Sequence, residues 1–244
     1  MRVYFLIPIY NEALNIPQLY NELSTALPNN NCFFVFSDDG SADNSKALLQ
    51  NYFKDLPHVV LGDGTNKGPG HAFNVGFDWI LAQDYSSEDI VVTLEADGTS
   101  DIRLLPEMIG INRLGYDMVL ASVYAQGGGF EHTTFLRKLI SSIANLLYRF
   151  LFNIKVQTLS SFYRVYNINL LAKIKNKYGS IISETGFICM LEVLIKAVDT
   201  KARMIEVPMV LASSKRKGAS KLKIIKTTLQ YFRFLASVKR NTLN

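Results

Sequence analysis

Val91–Val92–Thr93–Leu94–Glu95–Ala96–Asp97–Gly98 is a short apolar run that ends in two carboxylates one residue apart. The run has strand length and is followed by Thr99–Ser100–Asp101, which marks a buried strand leading into a loop. In a parallel α/β sheet, ligands bind beyond the carboxyl ends of the strands, so Glu95 and Asp97 stand at the lip of a site. Two apart on an extended chain, their side chains leave from one face. Two hard oxygen donors on one face suit Mg²⁺ or Mn²⁺, ions that also hold substrate phosphates. The alternative at this point is a solvated acidic turn.

Outward from this stretch, strands and helices alternate at short spacing. Val3–Ile9, Cys32–Phe36, His58–Leu61, Ile90–Leu94 and Met118–Val123 read as buried strands. Between them lie a helix with Ile16, Leu19, Leu23 and Leu27 facing inward, and a helix with Ala47, Leu48 and Tyr52, capped by Ser41 or Asp43. Two more cover His71–Leu81 and Leu104–Leu114. This alternation predicts an α/β fold with a right-handed, mostly parallel sheet. Beyond it, Tyr124–Phe130 with its three glycines reads as a flexible loop. Thr133–Asn153 reads as a helix, Gln157–Tyr166 as a strand, 180–200 as a helix and Ile205–Leu211 as a strand. Lys215–Lys221 is a basic loop, and Leu222–Val238 places apolar residues at helical spacing. The division expected is a domain over 1–221 and a basic amphipathic helix over 222–244.

Two acidic tips, Asp38–Asp39 and Glu95–Asp97, thus end two strands of one sheet, with the small-residue loop Asn66–Gly70 between them in sequence. This pattern argues for a nucleotide site with a bridging metal: Asp38 or Asp39 accepting from base or ribose, Glu95 and Asp97 holding the ion on the phosphates. For Asp38–Asp39 the alternative is a β-turn with a helix cap. GxxxxGK[ST] is absent, which removes a P-loop, and GxGxxG is absent after the first strand, which disfavours a dinucleotide fold.

The 244 residues are 48% hydrophobic and 19% charged, a globular composition. Two cysteines in apolar surroundings fit buried thiols in a reducing compartment, and three histidines without ligand spacing make zinc unlikely. The net charge is +5, and nothing acidic follows Glu206, while that tail holds nine Lys and Arg. A basic terminus suggests an anionic partner. Nucleic acid is disfavoured, because the acidic rim would repel its phosphates. No stretch offers 18 uninterrupted apolar residues, so no transmembrane helix is expected. The two amphipathic segments, Thr133–Asn153 and Leu222–Val238, either lie in a membrane interface or pack onto the sheet or make a dimer.

Six motifs occur in order: Ile7–Pro8–Ile9–Tyr10–Asn11–Glu12, Asp38–Asp39–Gly40–Ser41, Asn66–Lys67–Gly68, Glu95–Ala96–Asp97, Glu206–Val207–Pro208 and Arg216–Lys217–Gly218–Ala219–Ser220–Lys221. Together they resemble family 2 glycosyltransferases of the GT-A fold, in particular the dolichyl- or polyprenyl-phosphate sugar synthases. The resemblance runs from about Val3 to Lys221. It implies a single-domain GT-A sheet flanked by helices and metal-dependent, inverting transfer from a nucleotide-sugar, GDP-mannose or a UDP-hexose, to a polyprenyl or dolichyl phosphate. The implied nucleotide-sugar set is Pro8, Tyr10, Glu12, Asp38, Asp39, Lys67, Gly68, Ala96 and Lys221. Glu95 and Asp97 match the family's Asp-x-Asp metal motif and would take Mg²⁺ or Mn²⁺. Arg137 and Ser141 match an Arg-x-x-x-Ser pair for the acceptor phosphate. Arg164 matches the arginine of a Ser-Gly-Phe-Arg stretch and joins them there, and Glu192 matches an acid in a Phe-Gln-x-Glu helix. Asp97, Arg137, Arg164 and Arg216 form the implied catalytic set. The implied location is cytoplasmic, peripheral on the cytoplasmic face of a membrane.

The chain departs from the family's pattern at several points. Thr99 stands where a metal-contacting Gln is common, Val123 where a Gly-Ser-Arg strand end has Arg, Thr158 and Ser161 where Asp and Gly precede the arginine, and Met190 where Gln precedes the helical acid. These departures leave two alternatives beside the main reading. One is transfer to a soluble saccharide, which needs a general base such as Asp101, Glu184 or Glu192. The other is a catalytically weak nucleotide-sugar-binding homologue.

Overall fold

A computed structural model describes residues 1–26, 31–131, 135–218, 230, 231 and 234. Seven strands form one sheet in the order β3-β2-β1-β4-β7-β5-β8. They are β1 (Val3–Ile9), β2 (Cys32–Asp38), β3 (His58–Leu61), β4 (Ile90–Thr93), β5 (Met118–Ser122), β7 (Arg164–Asn167) and β8 (Met204–Pro208). All neighbouring pairs are parallel except those made by β7, which runs antiparallel between β4 and β5. A second, two-stranded sheet pairs β6 (Gly129–Phe130) with β9 (Val210–Leu211).

Alternation of side chains along the strands builds a core on each face. Tyr4 and Leu6 of β1 and Val91 of β4 point to one side, under α3 (Pro69–Leu81), α6 (Ile168–Tyr178) and α7 (Cys189–Asp199). Val3, Phe5, Ile7 and Ile9 of β1 with Ile90 and Val92 of β4 point to the other, under α1 (Ile16–Ala26), α2 (Ser45–Tyr52) and α4 (Leu105–Arg113). Ile16, Leu19 and Leu23 bury as their spacing predicts. Leu27 lies outside the described residues. Helix α2 is entered through Asp43, whose carboxylate accepts from both the amide and the hydroxyl of Ser45.

Four local expectations change. Gln157–Tyr166 reads as a strand, yet only Arg164–Asn167 is one. The backbone groups that a strand would pair are taken by side chains. The Glu206 carboxylate accepts from the amides of Gln157 and Thr158, and the Arg164 guanidinium takes the carbonyls of Leu159 and Ser161. The helix over 180–200 contracts to Cys189–Asp199, because the amides of Ser183 and Glu184 bond the Glu192 carboxylate instead of continuing a helix. The strand over Ile205–Leu211 breaks after Pro208, where the Met209 amide turns to the Ser122 carbonyl and the chain enters the second sheet. The glycine-rich loop is fixed at its end, since Gly129 and Phe130 pair with Val210 and Leu211.

Helix α5 (Phe135–Phe152) follows the second sheet. Its Tyr148 hydroxyl donates to the Tyr231 carbonyl, and Tyr231 and Phe234 pack on the core. The rest of the expected helix over Leu222–Val238 lies outside the described residues. Among those residues no helix is long and apolar enough to cross a membrane.

Candidate active site

The carboxyl ends of β1, β2 and β4 converge on one rim, as parallel pairing requires. Strand β2 runs to Asp38, paired in register with Ile9, and the Asp39 amide donates to the Ile9 carbonyl. The two neighbouring aspartates then do different things. Asp39 accepts from the amides of Lys67 and Gly68 at 2.8 to 3.0 Å. That holds the Asn66–Gly70 loop against the sheet. Burial pushes the Asp39 carboxyl above its ordinary range, and these two amides pull it part of the way back. Gly68 sits at φ +97°, and a Cβ there would stand 2.4 Å from the Thr185 carbonyl oxygen. Only glycine lets the loop lie this close.

Asp38 spends one oxygen on the Ser41 amide at 3.2 Å, while its buried Oδ1 has no hydrogen-bond partner. A buried carboxylate oxygen left open is costly unless a ligand or water meets it. Asp38 and Asp39 line a cavity of about 310 Å³ with Asp63, Thr65, Lys67 and His71. Lys67 reaches Asp63 at 2.5 Å, so its ammonium lies at the mouth.

The Asn11–Glu12 turn closes the rim on the other side. Asn11 adopts φ +52°, its amide donates to Ser41, and its side-chain oxygen accepts from Ala42 and Asp43. The Glu12 amide donates to the Ser45 hydroxyl. Pro8 stands on β1 opposite Ser37, and Tyr10 follows the strand, half-buried. Ala96 packs its methyl in the core, so it presents backbone alone to the rim.

Strand β4 ends at Thr93, and Glu95 and Asp97 stand on the turn beyond it. Glu95 accepts from the Ser100 hydroxyl at 2.7 Å. Burial first, then the charge of Asp97, push its carboxyl above the usual range. Asp97 accepts from the amide and hydroxyl of Thr99 through Oδ1. Through Oδ2 it holds the guanidinium of Arg216, at 2.6 Å from Nε and 2.5 Å from Nη2. Two neighbouring carboxylates, one meeting a serine hydroxyl and the other facing a guanidinium, supply hard oxygen donors of the kind a divalent ion takes.

Arg216 arrives from 119 residues away. Its loop is seated by the Ala212 amide on the Thr99 carbonyl and by Asn15, whose carboxamide bonds the Lys217 backbone. Asn15 and the hydroxyl of Ser100 are not legible as site residues in the sequence, whereas Thr99 stands at a position the resemblance marks. The nearest signal for Asn15 is a polar residue just ahead of an apolar helix face, which reads as a cap.

Arg164 lies elsewhere than the sequence suggests. It is fully buried at the start of β7. Its Nε, Nη1 and Nη2 donate to the carbonyls of Ser161, Met190 and Leu159 at 2.8 to 2.9 Å. A guanidinium so committed has no donor edge turned to a phosphate, so this arginine builds the core instead of an acceptor site. Glu192 likewise serves the fold: it accepts from Ser183 and Glu184 and pairs with Lys196 at 2.7 Å. Asp101 is held by Arg103 at 2.8 Å, which lowers its carboxyl below the ordinary range. The side chains of Arg137 and Ser141, and Lys221 as a whole, lie outside the described residues.

The profile of Glycosyl transferase family 2 matches residues 4–175, more than half of the chain and the whole of this rim except Arg216. The chain belongs to that family. It is a glycosyltransferase. It is 29% identical over 223 residues to the polyprenol monophosphomannose synthase of Mycolicibacterium smegmatis, covering 91% of this chain and 81% of that protein. It is 31% identical over 235 residues to the dolichol-phosphate mannosyltransferase of Pyrococcus furiosus, covering 96% of this chain and 63% of that one. Among solved structures, glucosyl-3-phosphoglycerate synthase from Mycobacterium tuberculosis, in complex with Mn²⁺, UDP and glucosyl-3-phosphoglycerate, superposes with a TM-score of 0.66. That match covers 97% of this glycosyltransferase and 78% of the other chain at 14% identity, a likeness of fold. The sheet is thus that of the GT-A fold.

Proposed function

We propose that this glycosyltransferase moves a hexose from a nucleoside diphosphate sugar to a polyprenyl phosphate, with a divalent ion held by Glu95 and Asp97. The observation that carries this reading is the rim itself. Asp97, one of a carboxylate pair, holds Arg216, and on the same rim Asp38, with an unpartnered buried oxygen, and Asp39 line a cavity. The named functions of the two relatives, a polyprenol monophosphomannose synthase and a dolichol-phosphate mannosyltransferase, support the acceptor class and favour mannose. The neighbour crystallised with Mn²⁺ and UDP supports the ion and the nucleotide.

In this reading the nucleoside enters the cavity and one of its N–H groups meets Asp38 Oδ1. Asp39 keeps the Lys67–Gly68 backbone in place as a wall of the pocket, and Tyr10 and Pro8 flank it. The ion, Mg²⁺ or Mn²⁺, supplies charge neutralisation of the diphosphate when bound. Arg216 lies beside Asp97 and adds a second cation for the charge that develops on the leaving oxygen. An oxygen of the acceptor phosphate attacks the anomeric carbon from the opposite side, the bond to the diphosphate breaks, and the configuration inverts. That oxygen is already anionic near neutral pH, so no strong general base is needed. Arg137 and Ser141 on α5 are the candidates to hold the acceptor phosphate. Leu146, Leu147, Phe150 and Leu151 of the same helix are exposed, Phe150 by 85%. An apolar row of this kind suits a helix that rests on a lipid surface. A soluble saccharide acceptor is less well supported, because Asp101 and Glu192, two of its three candidate bases, are committed to neighbours.

The test is a transfer assay with purified protein, Mn²⁺ or Mg²⁺, labelled GDP- and UDP-sugars, and a polyprenyl phosphate in vesicles. Label is expected in the lipid phase and is lost on adding a chelator. Label that enters only soluble saccharides would overturn the acceptor. Nucleotide binding without any transfer would overturn the enzymatic reading.

A further inference from the structure

We propose that Asn15 is a positioning residue that presents Arg216 to the diphosphate by clamping the backbone of Lys217. Asn15 stands immediately before α1 and is 3% exposed. Its main chain is fixed there, donating to the Glu12 carbonyl and accepting from the Leu19 amide. Its carboxamide then bonds outward. Oδ1 accepts from the Lys217 amide at 3.0 Å, and Nδ2 donates to the Lys217 carbonyl at 3.1 Å and to the Glu12 carboxylate at 2.6 Å. The orientation of the amide follows from these partners, since one faces with an N–H and the other two with oxygens. A side-chain amide has thus taken the place of a neighbouring strand for one residue, 202 residues along the chain.

The contacts around that peptide show why one residue carries so much. Arg216 and Asp97 form an ion pair whose side chains are 30% and 11% exposed, and such pairs alone fix a loop weakly. Lys215 reaches Glu22 only at 3.5 Å. Gly218, on the far side, sits at φ +98° with open space around it. The paired hydrogen bonds of Asn15, whose side chain is buried, complete a seat that the Ala212 amide begins on the Thr99 carbonyl. Chemistry also explains the residue type. Aspartate has the same size, but its second oxygen would face both the Glu12 carboxylate and the Lys217 carbonyl, repelling each. The consequence for the diphosphate rests on the role proposed above for Arg216. The clamp itself does not.

Hydrogen exchange of the full-length protein without ligands, read over peptides spanning residues 212–218, tests the clamp. Asn15→Ala and Asn15→Asp are both expected to speed exchange there by about tenfold or more, with the α1 peptides unchanged. Lys217→Pro is the complementary variant: it removes the N–H that Asn15 accepts, together with an exposed lysine side chain. Unchanged exchange in these variants would overturn the clamp. A second arm measures binding of GDP and UDP, and of GMP and UMP, in Mn²⁺. Asn15→Ala and Arg216→Ala are each expected to weaken the diphosphates by about tenfold more than the monophosphates, and the double variant is expected to be no worse than Arg216→Ala. Additive losses would overturn the positioning role. If no nucleotide binds the native protein, the transfer reading fails, and the exchange arm alone decides whether Asn15 seats the loop.

Discussion

Arg164 and Arg216 read alike in the sequence, as cations placed for a phosphate, and the structure puts them in opposite settings. Arg164 opens β7 in the middle of the sheet, with no exposed surface and three carbonyls around its guanidinium. Arg216 lies at the rim, partly exposed, on a single oxygen of Asp97. An arginine satisfied by backbone carbonyls is part of the framework, because removing it strands several buried acceptors at once. A partly exposed arginine on one carboxylate can exchange that partner for a phosphate at little cost.

The contrast can be broken most directly at its buried end. Arg164→Met is expected to lower unfolding stability by about 3–5 kcal/mol in urea titration, and Arg164→Lys by about 2–3 kcal/mol, since one ammonium cannot span three carbonyls. Full stability of Arg164→Met, with loss of acceptor use alone, would return this residue to the acceptor site. Asp97→Asn comes next. Transfer should fall by about 10²–10³ and its metal dependence should vanish, while stability moves by less than about 1 kcal/mol. Arg216→Ala should have the smallest effect. A fall of about tenfold to a hundredfold in transfer is expected, with the melting temperature within about 2 °C of the native protein. A large stability loss in Arg216→Ala would erase the distinction between the two arginines.

The first half of the chain was legible because its signals are local. Val3–Ile9 and His58–Leu61 have the bounds read from their apolar runs, and the acidic tips follow because parallel strands bring their carboxyl ends to one side. The second half was harder because its backbone is held by distant side chains. Nothing near Gln157 announces that Glu206 will take its amide, and nothing near Arg164 shows that Met190 will supply a carbonyl. Helix α6 is not among the elements read from the sequence although it carries both end signals, the Asn167 side chain accepting from the Asn169 amide and Gly179 in the left-handed conformation. At the site, charge type was readable and commitment was not. Glu95, Asp97 and Arg216 meet as a cluster, but whether a carboxylate is open, as in Asp38, or spent, as in Asp39, depends on loops that fold back from elsewhere.

The antiparallel strand between β4 and β5 has a consequence for how the chain is made. Strands β3, β2, β1 and β4 are neighbours and derive from residues 3–93, so that half of the sheet can assemble while later residues are still being synthesised. Strand β5 leaves the ribosome before β7 and has no partner on that side until residue 167 has emerged. Through that interval β4 is the open edge of a nascent sheet, and the arrival of β7 covers it, with the Leu159 and Ser161 carbonyls already on Arg164 and that of Met190 still to come.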